Sequence, residues 1–398
     1  MGGAQVVVHN VALQQQAAGH QIALINRVTD RWGAYQQVKA SVPYPVLPLM
    51  PKGLKMMQQA SRLHINASFL LHWPLRYYQR KHQFEVWHLN LMGKTTLAAL
   101  PYLKKMGVPL VGTCHGIDIQ KLPEVGYGWR IDSQWEEDLR KALLQFDYLT
   151  AISDSVREEY LSLGIPPENI VDIPNGINYG YLSGLTVDKA AVKAQLGLPA
   201  DKKIILTVGR NHPKKGYIYI PQVIRQLLQH RTDFLWVLVG AASEEIAELA
   251  RKEGVENYFR AIPVIGLKKQ AGQKYEFPSE DLIQVYKMAD YFAFPTLIET
   301  FGNVTLEAMA CGLPVVVTDS PGCRDIVTHG ETGLLSPVKD PVAMANNLQY
   351  LMENKDIEKK LVYNGLKHAC HYDWQRVSEK YLTCYQNAIQ KAKDYNLH

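Results

Sequence analysis

Residues 294–312 read FPTLIETFGNVTLEAMACG, and they place two carboxylates, Glu299 and Glu307, eight positions apart. The apolar run that closes on Phe294 reads as a buried strand over 291–294. Residues 295–301 read as a loop, and Asn303 or Thr305 is placed to cap a helix running through Glu307 to the Gly312 stop. On this reading Glu299 lies in the loop just before the helix, and Glu307 about one turn inside it. A helix N-terminus offers free backbone N–H groups and partial positive charge, which suits a phosphate. Carboxylates beside that phosphate can accept hydrogen bonds from sugar hydroxyls, so the arrangement suits a sugar nucleotide better than a bare anion. The competing reading is a pair of solvated surface carboxylates, the usual fate of glutamate.

Outward from this stretch, β-rich apolar runs alternate with helical patterns. Strands are expected at 21–25, 85–89, 110–113, 148–152, 171–173, 204–208, 234–239, 291–294 and 315–318. Helices are expected at 6–18, 95–105, 154–163, 221–228 and 243–253. Such alternation argues for parallel sheets with helices on both faces, and in these folds sites gather at the C-terminal ends of strands. A boundary falls at 175–198, where the Asn175-Gly176 turn precedes a helical pattern over 187–196. A long helical pattern covers 374–393.

The chain of 398 residues is long enough to bury two large cores. Its 47% hydrophobic and 20% charged residues place it among ordinary globular proteins. No apolar run approaches the ~20 residues that span a bilayer, and Met1 leads into Gly-Gly and an amphipathic segment rather than a secretory signal. The five cysteines (114, 311, 323, 370 and 384) form no C-x-x-C pair and no zinc spacing, which fits thiols in a reducing, cytoplasmic setting. Net charge is +5 but unevenly spread, because residues 31–84 hold no Asp or Glu. That span carries Arg31, Lys39, Lys52, Lys55, Arg62, Arg76, Arg80 and Lys81, with Trp73, Tyr77 and Tyr78 among them. Basic and aromatic residues interleaved in this way suit peripheral contact with an anionic membrane surface, or an anionic acceptor. The alternative is a solvated basic face on helices packed through Leu54, Met57, Leu70 and Leu71. No nucleic-acid recognition motif is present, and no nucleic-acid partner is expected.

Three further stretches carry chemistry. In TVGRNHPKKG, residues 207–216, a strand ends at Gly209 and cations follow. Arg210 can fork onto phosphate oxygens and Lys215 adds a point charge, with Lys214 as the competing candidate. In VGTCHGID, residues 111–118, a buried strand delivers His115, which can bond a sugar hydroxyl or assist proton movement. Asp118 either contacts an acceptor or caps its own segment, and Arg130 and Asp132 are candidates to line the same cleft. In TAISDSVREEYLSLGIPPENIVDIPNGIN, residues 150–178, Ser153 is placed to cap a helix, and Asn175 and Gly176 look architectural. The phosphate-loop lookalike Gly93-Lys94-Thr95-Thr96 fails, since the glycine required five positions earlier is His88. No Asp-x-Asp occurs, so metal independence is expected, with Arg210, Lys215 and a helix N-terminus balancing a diphosphate.

The run ETFGNVTLEAMACGLPVVVTDSPGCRDIVTHGETGLL, ending at Leu335, resembles the Glu-x7-Glu signature of retaining glycosyltransferases of the GT-B fold, family 4, group 1. The other three stretches are similar to the same family. The resemblance implies an α/β fold of two Rossmann-like doubly wound domains facing across a cleft. Residues 1–180 would form an acceptor domain and 181–373 a donor domain, with 374–398 a helix packing back on the first. It implies a hexosyltransferase that moves sugar from a nucleotide-diphosphate sugar to a sugar, glycolipid or small-molecule hydroxyl, with no cofactor beyond that co-substrate. Arg210 and Lys215 would neutralise the diphosphate, Glu307 would hold the ribose and Glu299 the transferring sugar. Gly209, Phe301, Gly302, Asn303 and Val304 would line the donor site, with His115 and Gly3 closing the first-domain side. His88 and Asn90 stand where the family has D-V-V-H-x-H, the second His being replaced. The family's opening strand is not found before Gly2-Gly3, which should leave strand edges exposed. Residues 266–277, GLKKQAGQKYEF, read as a surface insertion near the nucleotide base. The rival readings are a nucleotide-sugar epimerase on the same fold and a non-catalytic nucleotide-sugar-binding protein.

Overall fold

The computed structural model describes residues 3–27, 39–40, 42–49, 71–265 and 277–395. Most of the basic span, the 266–276 insertion and Met1 lie outside the described residues. Twelve described strands are β1 (Leu24–Arg27), β2 (Val46–Leu49), β3 (Trp87–Asn90), β4 (Leu110–Thr113), β5 (Tyr148–Ala151), β6 (Ile170–Asp172), β7 (Lys203–Val208), β8 (Phe234–Val239), β9 (Phe259–Ile262), β10 (Tyr291–Phe294), β11 (Val315–Thr318) and β12 (Leu334–Ser336). The first-half helices are α1 (Gly3–Ala17), α2 (His72–His82), α3 (Lys94–Lys104), α4 (Ser133–Leu143), α5 (Asp154–Ser162) and α6 (Tyr179–Gly184). The remainder are α7 (Lys189–Gln195), α8 (Ile220–Leu227), α9 (Glu244–Lys252), α10 (Glu280–Met288), α11 (Asn303–Ala310), α12 (Pro341–Glu353), α13 (Lys355–Ala369) and α14 (Trp374–Tyr395).

The second half folds as a six-stranded sheet in the order β12-β11-β10-β7-β8-β9, every pair parallel. Helices cover both faces of such a sheet, which is why β8 and β10 are apolar and buried at every position. From β7 the chain winds outward through β8 and β9. It then returns to the other side of β7 and winds outward again through β10, β11 and β12. The reversal lies between β7 and β10, and crevices at such switch points hold ligands beyond the carboxyl ends of the strands. The loops after these two strands carry Arg210 to Lys215 and Glu299.

In the first half, β3-β4-β5-β6 form a parallel four-stranded sheet and β1-β2 a separate parallel pair. Helix α1 packs on both. Its Val7 and Val11 join Val111 and Ile173, while Ala12 packs with Tyr44 and Val46. Helix α14 crosses back from the second half and closes the same cluster with Trp374, Val377 and Tyr381. The two chain crossings between the halves lie side by side, with Ile177 N–H donating to Tyr372 O at 2.8 Å and Trp374 N–H to Ile177 O at 3.1 Å. The architecture is the expected GT-B arrangement of two Rossmann-like units.

Several local expectations are corrected. Neither Asn303 nor Thr305 caps α11: Gly302 occupies the N-cap at φ 90° and supplies no side chain. Strands β2, β9 and β12 were not anticipated. The helix expected from residue 6 begins at Gly3, so Gly3 is helical rather than part of a preceding loop.

Candidate functional site

The loops after β7 and β10 are laced together before any side-chain chemistry begins. Leu297 N–H donates to Lys214 O at 2.8 Å, and Thr296 Oγ1 donates to the same carbonyl at 3.1 Å. Gly216 closes a single turn over Pro213–Lys215 at φ 62°. A Cβ there would sit 2.1 Å from Pro295 O, so only glycine permits this approach. The lacing brings Lys214 and Lys215 over Glu299.

Glu299 is 7% exposed. Its Oε1 is in direct contact with Lys215 Nζ, and its Oε2 lies 3.8 Å from Lys214 Nζ. Burial pushes the carboxyl up, but Lys214 and Lys215 outweigh it and hold the group below its ordinary range. Both lysines thus take part, Lys215 in direct contact with the carboxylate and Lys214 farther out. Lys214 Nζ also sits 4.5 Å from the Tyr127 ring centroid, and Lys215 Nζ 4.8 Å from that of Phe294. His212 is lowered by burial, then by Arg210, Lys214 and Lys215. The position is therefore cationic. Arg210 is exposed and makes no ion pair among the described residues, leaving its guanidinium available to an incoming anion.

Glu307 faces differently. Helix α11 turns it toward α10, where its Oε2 accepts from Tyr286 Oη at 2.8 Å. Burial raises this carboxyl from 4.5 to about 7 against the opposing hydrogen bond. Two carboxylates eight positions apart are therefore shifted in opposite directions, Glu299 below and Glu307 above the ordinary carboxyl range. Phe301 belongs to the core and packs near Tyr372, with ring centroids 5.8 Å apart, so only its backbone is available to a ligand. Asn303 Oδ1 accepts from Asn175 Nδ2 at 3.3 Å across the two halves. Val304 is partly buried against the core. Gly209 follows β7 directly, its N–H donating to Val239 O at 2.9 Å.

From the first half, His115 follows β4 and its Nε2 lies 2.8 Å from Asn90 Oδ1, the residue that replaces a histidine. Burial lowers His115, with Asp118 opposing. Asp118 is an architectural residue: it is fully buried and accepts from the backbone N–H groups of Met92, His115 and Gly116. Arg130 and Asp132 are likewise structural. Arg130 is committed to Glu136, Glu159 and Ile119 O, and Asp132 caps α4. His88 bonds Tyr385 Oη at 2.7 Å and Thr113 Oγ1 at 2.7 Å, tying α14 to the sheet. Ser153 caps α5 as expected. Residues not anticipated at this centre are Gln120, Tyr127 and Tyr286. No motif marks them: Gln120 and Tyr127 reach the site from the segment that follows β4, and Tyr286 from α10.

The model of the family described as Glycosyltransferase Family 4 matches residues 1–180, and that described as Glycosyl transferases group 1 matches residues 188–368. Among curated relatives, a D-inositol 3-phosphate glycosyltransferase of Acidothermus cellulolyticus is 26% identical over 98% of this chain and 87% of its own. One of Thermobispora bispora is 27% identical over 73% of this chain and 67% of its own. Among solved structures, Anabaena HepE in complex with UDP and glucose superposes at a TM-score of 0.72, with 20% identity over 97% of this chain and 96% of that one. Sucrose-phosphate synthase of Thermosynechococcus elongatus superposes at 0.73, with 20% identity over 98% of this chain and 94% of that one.

Proposed function

We propose that this chain, which belongs to the family 4, group 1 glycosyltransferases and has their GT-B fold, transfers a hexosyl unit from a UDP-sugar to an acceptor hydroxyl without a metal ion. The observation that carries the reading is buried Glu299 held by Lys214 and Lys215 at the sheet's switch point, just ahead of α11, with Arg210 exposed in the same loop as the lysines and in no ion pair among the described residues. UDP is the nucleotide of choice because HepE, similar in fold, was crystallised with UDP and with UDP-glucose.

In the reaction the bond between the anomeric carbon and the diphosphate oxygen breaks, and a bond to the acceptor oxygen forms on the same face. The departing diphosphate takes the acceptor's proton, so no covalent nucleophile is needed. Arg210, Lys214, Lys215 and the free N–H groups of α11 stabilise charge growing on that diphosphate. Glu299 accepts from hydroxyls of the transferred sugar, and Glu307 from the ribose. His115 lines the sugar from the first half.

The acceptor side carries a hint of place. Among the described residues no helix is long and apolar enough to cross a membrane. Helix α2, however, presents Trp73 at 72% and Tyr77 at 57% exposure beside exposed Arg76, Arg80 and Lys81. Their spacing sets all five on one face of a helix that holds no acid. Such a face suits the surface of an anionic bilayer, where an acceptor lipid would be presented.

A panel of UDP-, GDP- and ADP-sugars, each with EDTA and with magnesium, tests the reading by thermal shift and by product NMR. A ligand at ~100 times its Kd stabilises the fold by about 2.7 kcal/mol. The expected result is a shift for UDP-sugars in EDTA and an α-linked product when acceptor is added. Conversion of donor without acceptor would identify an epimerase, and binding without turnover a non-catalytic protein.

A further inference from the structure

Segment 116–131 follows β4 in the first half and reaches over to the second. It is stiff in its own right. Asp118 pins its start, Trp129 N–H donates to Ile117 O at 2.8 Å, and Arg130 donates to Ile119 O at 2.7 Å. Leu122 and Tyr127 exchange backbone bonds across it. From this strap Gln120, 1% exposed, extends its amide to the loop that carries Glu299. Gln120 Nε2 donates to Glu299 O at 2.6 Å, and Gln120 Oε1 accepts from Thr300 Oγ1 at 2.9 Å. Only one orientation of the amide satisfies both partners, since a carbonyl can only accept. Ser153 Oγ, also from the first half, donates to Thr300 O at 2.7 Å. Farther along the strap, Tyr127 Oη lies 3.3 Å from Lys214 Nζ.

We propose that Gln120 is a positioning residue for sugar transfer, clasping Glu299 and Thr300 from the opposite half so that the Glu299 carboxylate is set in its working orientation only when the halves are together. The inference rests on the role given above to Glu299. Separation of the halves would strip the Glu299 carbonyl of its Gln120 partner and Thr300 of two, handing these groups to water and leaving the loop free to shift. The carboxylate would then lose its place against the sugar, while Arg210 and the α11 N-terminus, both in the second half, would still hold the diphosphate. Closure is thus linked to catalysis more strongly than to donor binding.

The test uses the full chain with Gln120→Ala, Thr300→Val and the double variant, comparing kcat, donor KM and UDP affinity. Misplacing a catalytic group by about 1 Å lowers turnover on the order of 10²-fold, so Gln120→Ala should lower kcat on that scale, with donor KM and UDP affinity within roughly threefold of wild type. Thr300→Val removes one hydroxyl from a buried site and keeps its shape, so it remains informative if Gln120→Ala fails to fold. It should lower kcat on the order of tenfold, and the double variant should lose less than the product of the two single losses because the residues act as one pair. An unchanged kcat in both single variants would overturn the clasp, as would parallel falls in kcat and UDP affinity that mark general loosening. A wild type that transfers sugar from no donor overturns the functional reading itself, an outcome distinct from an active wild type whose variants match it.

Discussion

Glu307 makes the free protein less stable at the pH where the proposed reaction needs its charge, and replacing it with glutamine should expose that conflict. Burial holds the carboxyl at about 7, against an ordinary 4.5. Below pH 4.5 the folded and unfolded chains both carry the proton, and the group's contribution to stability is fully present. Between about 4.5 and 7 the folded chain keeps a proton that the unfolded chain has released, so stability falls as pH rises, and the loss is complete above 7. At about 1.4 kcal/mol per unit the shift corresponds to about 3 kcal/mol, which partial solvent contact reduces to on the order of 2 kcal/mol. Glu307→Gln removes the titration and keeps the shape. Denaturation at pH 5 and pH 8 should therefore find the variant gaining on wild type by on the order of 2 kcal/mol across that range. Binding of a UDP-sugar, whose diesterified diphosphate does not titrate here, should move the other way. In wild type it strengthens up to about tenfold from pH 6 to pH 8 as the carboxylate forms to accept the ribose hydroxyls. In the variant that slope vanishes and affinity at pH 8 falls by roughly 10- to 100-fold, the loss of a hydrogen bond to a charged group. Parallel stability profiles for the two proteins would refute the burial argument. Unaltered UDP-sugar affinity in the variant would refute the ribose contact.

Arg210→Ala should leave the melting temperature unchanged, because the side chain is exposed and pairs with nothing among the described residues, yet lower kcat/KM on the order of 10²- to 10³-fold. Undiminished transfer by that variant would sink the assignment of the diphosphate site. Reversing Arg76, Arg80 and Lys81 to glutamate should weaken sedimentation with phosphatidylserine vesicles by at least roughly 100-fold at low salt, from about 1 kcal/mol per lost cation, and leave transfer to a water-soluble acceptor intact. Equal sedimentation of both proteins would remove α2 from the membrane argument.

The parallel fold was legible where strands are buried on both faces. Strands β8, β10 and β11 are apolar at every position or nearly so, and their bounds agree with the readings 234–239, 291–294 and 315–318. The strands that escaped notice are short and lie at sheet edges. In β2 the sequence VLPL holds a proline, β9 alternates outward through Arg260, and β12 spans only three residues. Edge strands are solvated on one side, so they need not carry the continuous apolar run that identifies a central strand. Among the described residues the first-half strands divide into a pair and a foursome.

The site was legible in one half and opaque in the other for a related reason. Arg210, Lys215 and Glu299 stand in the loops after two neighbouring strands and Glu307 in the helix that follows, so each motif sits next to a strand end that can be read in sequence. There the turn over Pro213–Lys215 brings both lysines toward Glu299, Lys215 the nearer. Gln120, 179 residues from Glu299, reaches it only because two separately folded halves meet, and nothing in its neighbourhood distinguishes it from a surface glutamine. Asp118, a candidate for acceptor contact in sequence, instead braces backbone within the first half. A carboxylate that follows a strand end can face a ligand or brace the backbone. Its three N–H partners decide for the brace, whose stiffness lets Gln120 transmit the position of one half to the other. A centre assembled this way draws its binding chemistry from two loops of one half and its positioning from a contact between the halves. Variants of the first kind should fail to bind, and variants of the second should bind and fail to turn over.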